Sequence, residues 1–255
     1  TITVDIPQTA PASEKTALQD LYNNTSGASW TNQTNWNTTS PESSWHGVTV
    51  KNGHVSKLTL NRNNLIGTIP ASILNLPYLE EINFSNNSLS GTLPNFSTIT
   101  AIDNVNIKNN DFSFADLETN FTSNKAITTF NYQTQNKIGT EESFDGIVGN
   151  NYTLTMTPIN GTNVQYQWYK KRYNYFNESD ESIPGATSNT YVISSLQDES
   201  FDTYFCRATS VNIPDLIIER NTLEIKGEVS QQQKDALIAI YNSTNGANWT
   251  NNTNW

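Results

Sequence analysis

From Val55 onward the apolar residues recur in rows of 23 to 25 positions. Leu58, Ile82, Val105 and Phe130 stand in one column, and Leu60, Phe84, Ile107 and Tyr132 stand two places later. Two apolar residues flanking a polar one make a short strand with one buried face. A unit that small cannot cover its own apolar face, so the rows predict a solenoid of stacked coils. After the second column comes Asn63, Asn87 or Asn110, with Gln135 in the fourth row, and then Leu65, Leu89 or Phe112. The Asn amide can bond backbone groups that a turn leaves free, and stacking would align these amides as a ladder.

The flanks follow other periods. The segment ALQDLYNNTSGASWTNQTNW (17–36) reads as an amphipathic helix from about Ser13, with Ser13 as N-cap and Ala17, Leu18 and Leu21 on the apolar face. After Ile138 short alternating segments take over, at 151–156, 164–170, 190–196, 202–210 and 216–225. Strands at this spacing, separated by turn residues, predict a β-sandwich. The expected fold class is multidomain: a short repeat solenoid with a helical N-terminal cap, followed by a sandwich.

The rows LTLNRNNLIGTIPASILNLPYL (58–79) and INFSNNSLSGTLPNF (82–96) resemble plant-type leucine-rich repeats, with their L-x-L-x-x-N-x-L-x-G-x-I-P pattern. VNIKNNDFSF (105–114) keeps the strand and the Asn but loses the Gly and Pro, and FNYQTQNKIG (130–139) reads as a worn coil closing the stack. SSWHGVTV (43–50) resembles the family's N-terminal cap, except that Ser43 and Val50 stand where that cap has cysteines. The departure points to a bacterial relative whose cap is held by packing of Trp30, Trp36 and Trp45. The second half resembles bacterial immunoglobulin-like domains through Trp168, DTYFC (202–206) and IPGATSNTYVI (183–193). That resemblance implies structural roles: Trp168 in the core, Tyr204 in a corner hydrogen bond, and Cys206 as a buried free thiol facing Leu154 or Met156. Asn63, Asn87 and Asn110 are structural by the ladder reading of the repeats.

Residues 236–255 repeat 17–36 at an offset of 219, with 13 of 20 positions identical. TITV (1–4) before a Pro-rich linker resembles TLEI (222–225) before GEVSQQQ. The expected organisation is a linker at 1–12 that carries the end of a preceding sandwich, a cap at 13–50, and repeats at 51–139. A sandwich at 140–227 and the start of a second cap at 228–255 complete it. On this reading the chain is one period of a modular array.

Composition narrows the function. Asn and Thr number 37 and 33, and the net charge of −10 makes nucleic acid and anionic membranes poor partners. No apolar run is long enough to span a bilayer, and no signal-peptide pattern opens the chain. One Cys, two His (His46 and His54) and no nucleophile or phosphate-loop motif give no reason to expect an enzyme or a cofactor. The acidic pairs Glu80/Glu81 and Glu141/Glu142 read as solvated faces, linkers or loops. Asp198, Glu199 and Asp202 form a weak calcium candidate through oxygen ligands on a loop, although the resemblance gives Asp202 a role beside the tyrosine corner.

Two surfaces remain. The strand face would present Lys57, Glu81, Asn104 and Thr129, then Thr59, Asn83, Asn106 and Asn131, then Asn61, Ser85, Lys108 and Gln133. A hairpin in the sandwich carries Tyr173, Tyr175 and Phe176, a stacking platform for a sugar or protein. The alternatives are a merely soluble surface for the first and packing on the repeats for the second. Together they predict a non-catalytic binding module of an extracellular or bacterial cell-surface protein, with a protein or glycan ligand and neighbouring modules as partners. Its rivals are a structural spacer and an accessory module of a secreted polysaccharide-degrading enzyme.

Overall fold

The computed structural model describes residues 8–171, 180–227 and 231–251. Helix α1 (Ala12–Asn24) buries Ala17, Leu18 and Leu21 against the turn of 3-10 helix at Ala71–Asn75 on the back of the first coil. Its N-cap lies two residues earlier than the sequence suggests. Pro11 takes the N-cap position, its carbonyl accepts from Glu14 N and Lys15 N, and Ser13 lies inside the first turn without capping. The chain then reverses at Ser26 (φ 57°) and Gly27, where a Cβ would lie 2.2 Å from the Tyr22 ring. Trp36 packs between Trp30 and Trp45, with ring centroids 4.8 and 5.0 Å apart. Each of these indoles is buried and donates to a carbonyl: Trp30 to Thr25, Trp36 to His46 and Trp45 to Ser40. Buried Trp is tolerated in this way, with its polar edge satisfied.

A hairpin joins β1 (Val48–Lys51) to β2 (His54–Thr59), and β2 leads into a parallel sheet. The coils alternate front strands with short back strands: β3 (Ile66–Gly67), β4 (Glu81–Asn83), β5 (Ser88–Leu89), β6 (Asn104–Asn106) and β7 (Thr129–Asn131). On the front, β2, β4, β6 and β7 pair in register, so Leu58, Ile82, Val105 and Phe130 form one row. The ladder is formed. Asn87 Oδ1 accepts from Asn63 N and Leu65 N at 2.9 and 3.0 Å, while its Nδ2 donates to Leu60 O and Phe84 O at 3.0 and 2.9 Å. Asn110 bonds Leu89 N and Phe84 O in the same way, and Asn63 bonds Asn32 N and O, which ties the cap to the first coil. Gln135, one methylene longer, reaches Asn110 N and Ile107 O. Asn87, Asn110 and Gln135 each satisfy backbone groups of two successive coils, so a single substitution there would orphan several buried groups.

The back of the third coil departs from the first two. Where Gly and Pro are lost, Ser113 and Asp116 form a reciprocal capping box and the chain winds into α2 (Phe114–Glu118) and α3 (Phe121–Lys125).

The second half packs two sheets. One contains β8 (Glu142–Gly146), β10 (Val164–Lys170), β11 (Glu181–Ser182), β13 (Thr203–Ser210), β14 (Ile217–Glu219) and β15 (Leu223–Gly227). The other pairs β9 (Tyr152–Thr155) with β12 (Thr190–Ile193). Two sequence expectations need correcting. The segment 216–225 is two strands, because after Arg220, whose N still donates to Cys206 O, the chain leaves β13 and Asn221 N turns to Ile138 O of the repeats. Glu142, placed in a linker, opens β8, which pairs parallel with β15. This strand is held by backbone bonds and turns few side chains inward, so its apolar pattern is faint.

The last coil does not close the stack by itself. Thr134 and Ile138 bridge in parallel to Ile217 and Arg220, and Ile138 N donates to Glu219 O at 3.0 Å. Tyr132 Oη donates to Pro214 O at 2.7 Å, and Ala115 N to Asn160 O at 3.0 Å. Glu118 accepts from Thr162 N and Oγ1 at 2.6 and 2.8 Å. The loops at 157–163 and 211–216 thus seal the repeat end, and one buried core runs from α1 through the coils into the two sheets.

A final helix, α4 (Gln231–Ser243), and the turn after it reproduce the start of the cap.

Candidate functional site: the front strand face

In-register parallel pairing places Lys57, Glu81, Asn104 and Thr129 in one row and Thr59, Asn83, Asn106 and Asn131 in the next. Parallel strands lie about 4.8 Å apart, so the amides and hydroxyls repeat at that spacing across four strands. Buried neighbours on either side fix each strand, so the face is rigid before any ligand arrives. Thr59 is exposed; Asn83, Asn106, Asn131 and Gln133 are half-buried.

Several of these side chains are held by local bonds. Asn83 Oδ1 accepts from Ser85 Oγ at 2.8 Å, Asn106 Oδ1 from Lys108 N at 3.2 Å, and Gln133 Oε1 from Tyr132 N at 3.2 Å. In each case the carbonyl end of the amide is engaged, and for Asn83, Asn106 and Gln133 the N–H2 end has no protein partner among the described residues. Ser85 differs from the sequence expectation. It is buried rather than projecting into solvent, because the strand has begun to turn at that position.

Electrostatically the face is nearly neutral. Lys57 Nζ pairs with Glu81 Oε2 at 2.8 Å, and the hydrogen bond and charge of Glu81 push the Lys57 ammonium up from its ordinary value. Both groups are partly open to solvent, so the pair adds little to stability. Such a surface offers hydrogen bonds with weak charge steering.

The other predicted residues fall elsewhere. Tyr173, Tyr175 and Phe176 lie outside the described residues. Asp198 and Glu199 sit exposed on a 3-10 turn, while Asp202 is bound to Thr203 N and lies 4.0 Å from Lys170 Nζ. Among the described residues no three His, Cys, Asp or Glu side chains group to hold a metal. Trp168 is buried opposite Cys206 on the paired strand and donates to Ser188 O. Tyr204 Oη donates to Ser200 O at 2.6 Å. Burial pushes the Cys206 thiol up to about 12, which makes it inert at neutral pH.

His54, read as structural or solvated, pairs through Nδ1 with Glu14 at 2.6 Å, and the buried Glu14 also accepts from Val55 N. Sequence reasoning missed Arg220. Its guanidinium is buried at a bend between strands, and no periodicity marks it.

No protein-family model matches the chain. An inactive leucine-rich repeat receptor-like serine/threonine-protein kinase of Arabidopsis thaliana is 39% identical over 80 residues, 31% of this chain and 12% of the relative. Pollen receptor-like kinase 1 of the same plant is 33% identical over 78 residues, 30% of this chain and 12% of the relative. The chain therefore spans only about an eighth of the length of these two relatives, and the likeness lies in the repeat part. Among solved structures, the leucine-rich repeat ectodomain of the receptor kinase SOBIR1 from Arabidopsis thaliana gives a TM-score of 0.37 at 16% identity, covering 54% of this chain and 73% of that one.

Proposed function

We propose that the chain is a non-catalytic, extracellular protein-binding module that engages its partner through the front strand face. The observation that carries this reading is the four-strand, in-register face beside which the Asn83, Asn106 and Gln133 amides keep N–H2 groups that have no protein partner among the described residues. Groups of this kind suit an extended protein segment, whose backbone carbonyls repeat without charge. The likeness of the repeat part to plant receptor-like kinases favours the same reading. The second half is taken as an immunoglobulin-like sandwich that caps the repeats, and the parent as a bacterial surface or secreted protein whose cap relies on Trp instead of disulfides.

A screen of the chain against protein and glycan arrays tests the proposal. Asn83→Arg and Asn131→Arg should each weaken a captured protein at least tenfold and leave the thermal midpoint within a few degrees. Capture that is indifferent to both variants would remove the face from consideration.

A spacer in a modular array is the second reading, favoured by the duplicated cap segment at α4. Silence across both arrays would support it.

A further inference from the structure

At the edge of the two-sheet half, beside the junction with the repeats, lies a cavity of about 470 Å³. That is within the range of small-ligand sites, about 300–1,000 Å³. It opens between β8 and β9, which end their respective sheets. Thr140, Glu142 and Phe144 line one wall and Thr153 and Thr155 the other. Arg220 bridges them: Nε donates to Thr155 O at 2.8 Å and Nη2 to Glu142 Oε1 at 2.5 Å, while Nη1 donates to Asn221 O at 2.6 Å.

Arg220 is only 6% exposed. It has five N–H groups, and three are used by these bonds, so two remain in a group that lines the cavity. The Glu142 side chain is 49% exposed, and its Oε2 accepts nothing from the protein among the described residues. The hydroxyls of Thr153 and Thr155 add groups that can donate or accept. Phe144 supplies an apolar ring, itself stacked on Tyr152 at 5.9 Å and 9°.

The charges select among ligands. An anion would meet Glu142 and a chain of net charge −10; a cation would meet the buried guanidinium. A neutral ligand rich in hydroxyls meets neither penalty. It can donate to the free carboxylate oxygen, accept from the spare N–H groups and lay its C–H face on Phe144. We propose that this cavity binds a neutral pyranose, either a single hexose or the end of a neutral glycan. The site shares no residue with the front strand face and stands or falls separately from the protein-binding reading.

The test is an amide NMR titration of the 255-residue chain with the methyl glycosides of glucose, galactose and mannose, and with methyl glucuronide as the anionic arm. At least one neutral glycoside should give saturable shifts centred on Thr140, Thr153 and Thr155. Glu142→Gln, which keeps the shape and removes the charge, should weaken that binding about tenfold. Thr153→Trp should fill the cavity and abolish the shifts. Thr153 is exposed, so its variant should keep the thermal midpoint; Glu142→Gln removes the counter-charge of the buried Arg220, so its fold is checked by amide dispersion in the ligand-free spectrum. The proposal is overturned if no neutral glycoside saturates, if only the glucuronide binds, or if Thr153→Trp keeps the shifts.

Discussion

The chain contains the same twenty-residue design twice, and the two copies have different surroundings. In the first, α1 covers Ala17, Leu18 and Leu21 on the first coil. In the second, α4 carries Leu237 and Ile240 at the matching positions, and these are 42% and 50% exposed. Local features are reproduced nonetheless. Asn245 takes φ 56° where Ser26 has 57°, and Tyr241 meets Trp249 at 5.4 Å as Tyr22 meets Trp30 at 5.3 Å. Trp249 Nε1 donates to Thr244 O as Trp30 Nε1 does to Thr25 O. The helix and its turn are thus written in neighbouring residues, whereas burial depends on a coil that supplies the opposing surface. A 13-residue helix is marginal in water on its own, so packing decides how stable each copy is.

The sharpest way to break this comparison is paired truncation. Leu21→Ala should cost about 2–5 kcal/mol in urea unfolding of the repeat half, since it opens a cavity under α1. Ile240→Ala, the matching change, should cost less than about 0.5 kcal/mol. Equal costs would mean that α4 is covered in solution. Hydrogen exchange sharpens the same contrast: α1 amides should be protected nearly to the global limit, and α4 amides far less.

The other end of the stack allows a smaller test, because there the covering surface is the two-sheet half. Tyr132→Phe removes the bond to Pro214 O and should cost about 1–2 kcal/mol. Cys206 gives a second readout. Its buried thiol should resist labelling at pH 8 in the folded chain, and Tyr132→Phe should raise the labelling rate if the two halves open together.

The smallest effect is a pH dependence of the cap around Glu42. Burial pushes the Glu42 carboxyl up, but Lys15, 2.7 Å away, and Ala10 N more than offset this, so it titrates below its ordinary 4.5. A depressed carboxyl stabilises the fold above its unfolded value and loses that contribution as pH falls through the folded one. The cap should therefore weaken below about pH 4.5, and Glu42→Gln should flatten this acid limb of the stability curve. An unchanged acid limb in Glu42→Gln would assign the effect to other groups.

Much of the repeat half was legible because stacking forces repetition. Leu58, Ile82, Val105 and Phe130 share a row in space because they share a column in the sequence, and Asn87 must sit where two coils leave backbone groups open. Other features left weaker marks. β8 buries little, so Glu142 read as a linker residue. The helices α2 and α3 replace a Gly-Pro turn through a single capping box at Ser113 and Asp116. Arg220 lies at a bend where no period operates, and its partners are Thr155 and Glu142, 65 and 78 residues away.

The sequence by itself determined the coil period, the amide ladder, the Trp-rich turn and the strands around Trp168 and Cys206, since each follows from residues close in the chain or repeated at a fixed interval. Only the tertiary structure decided how the repeats end and that Arg220 joins Glu142 across a cavity. Those outcomes depend on surfaces brought together from distant segments, and neither periodicity nor local propensity records which surfaces will meet.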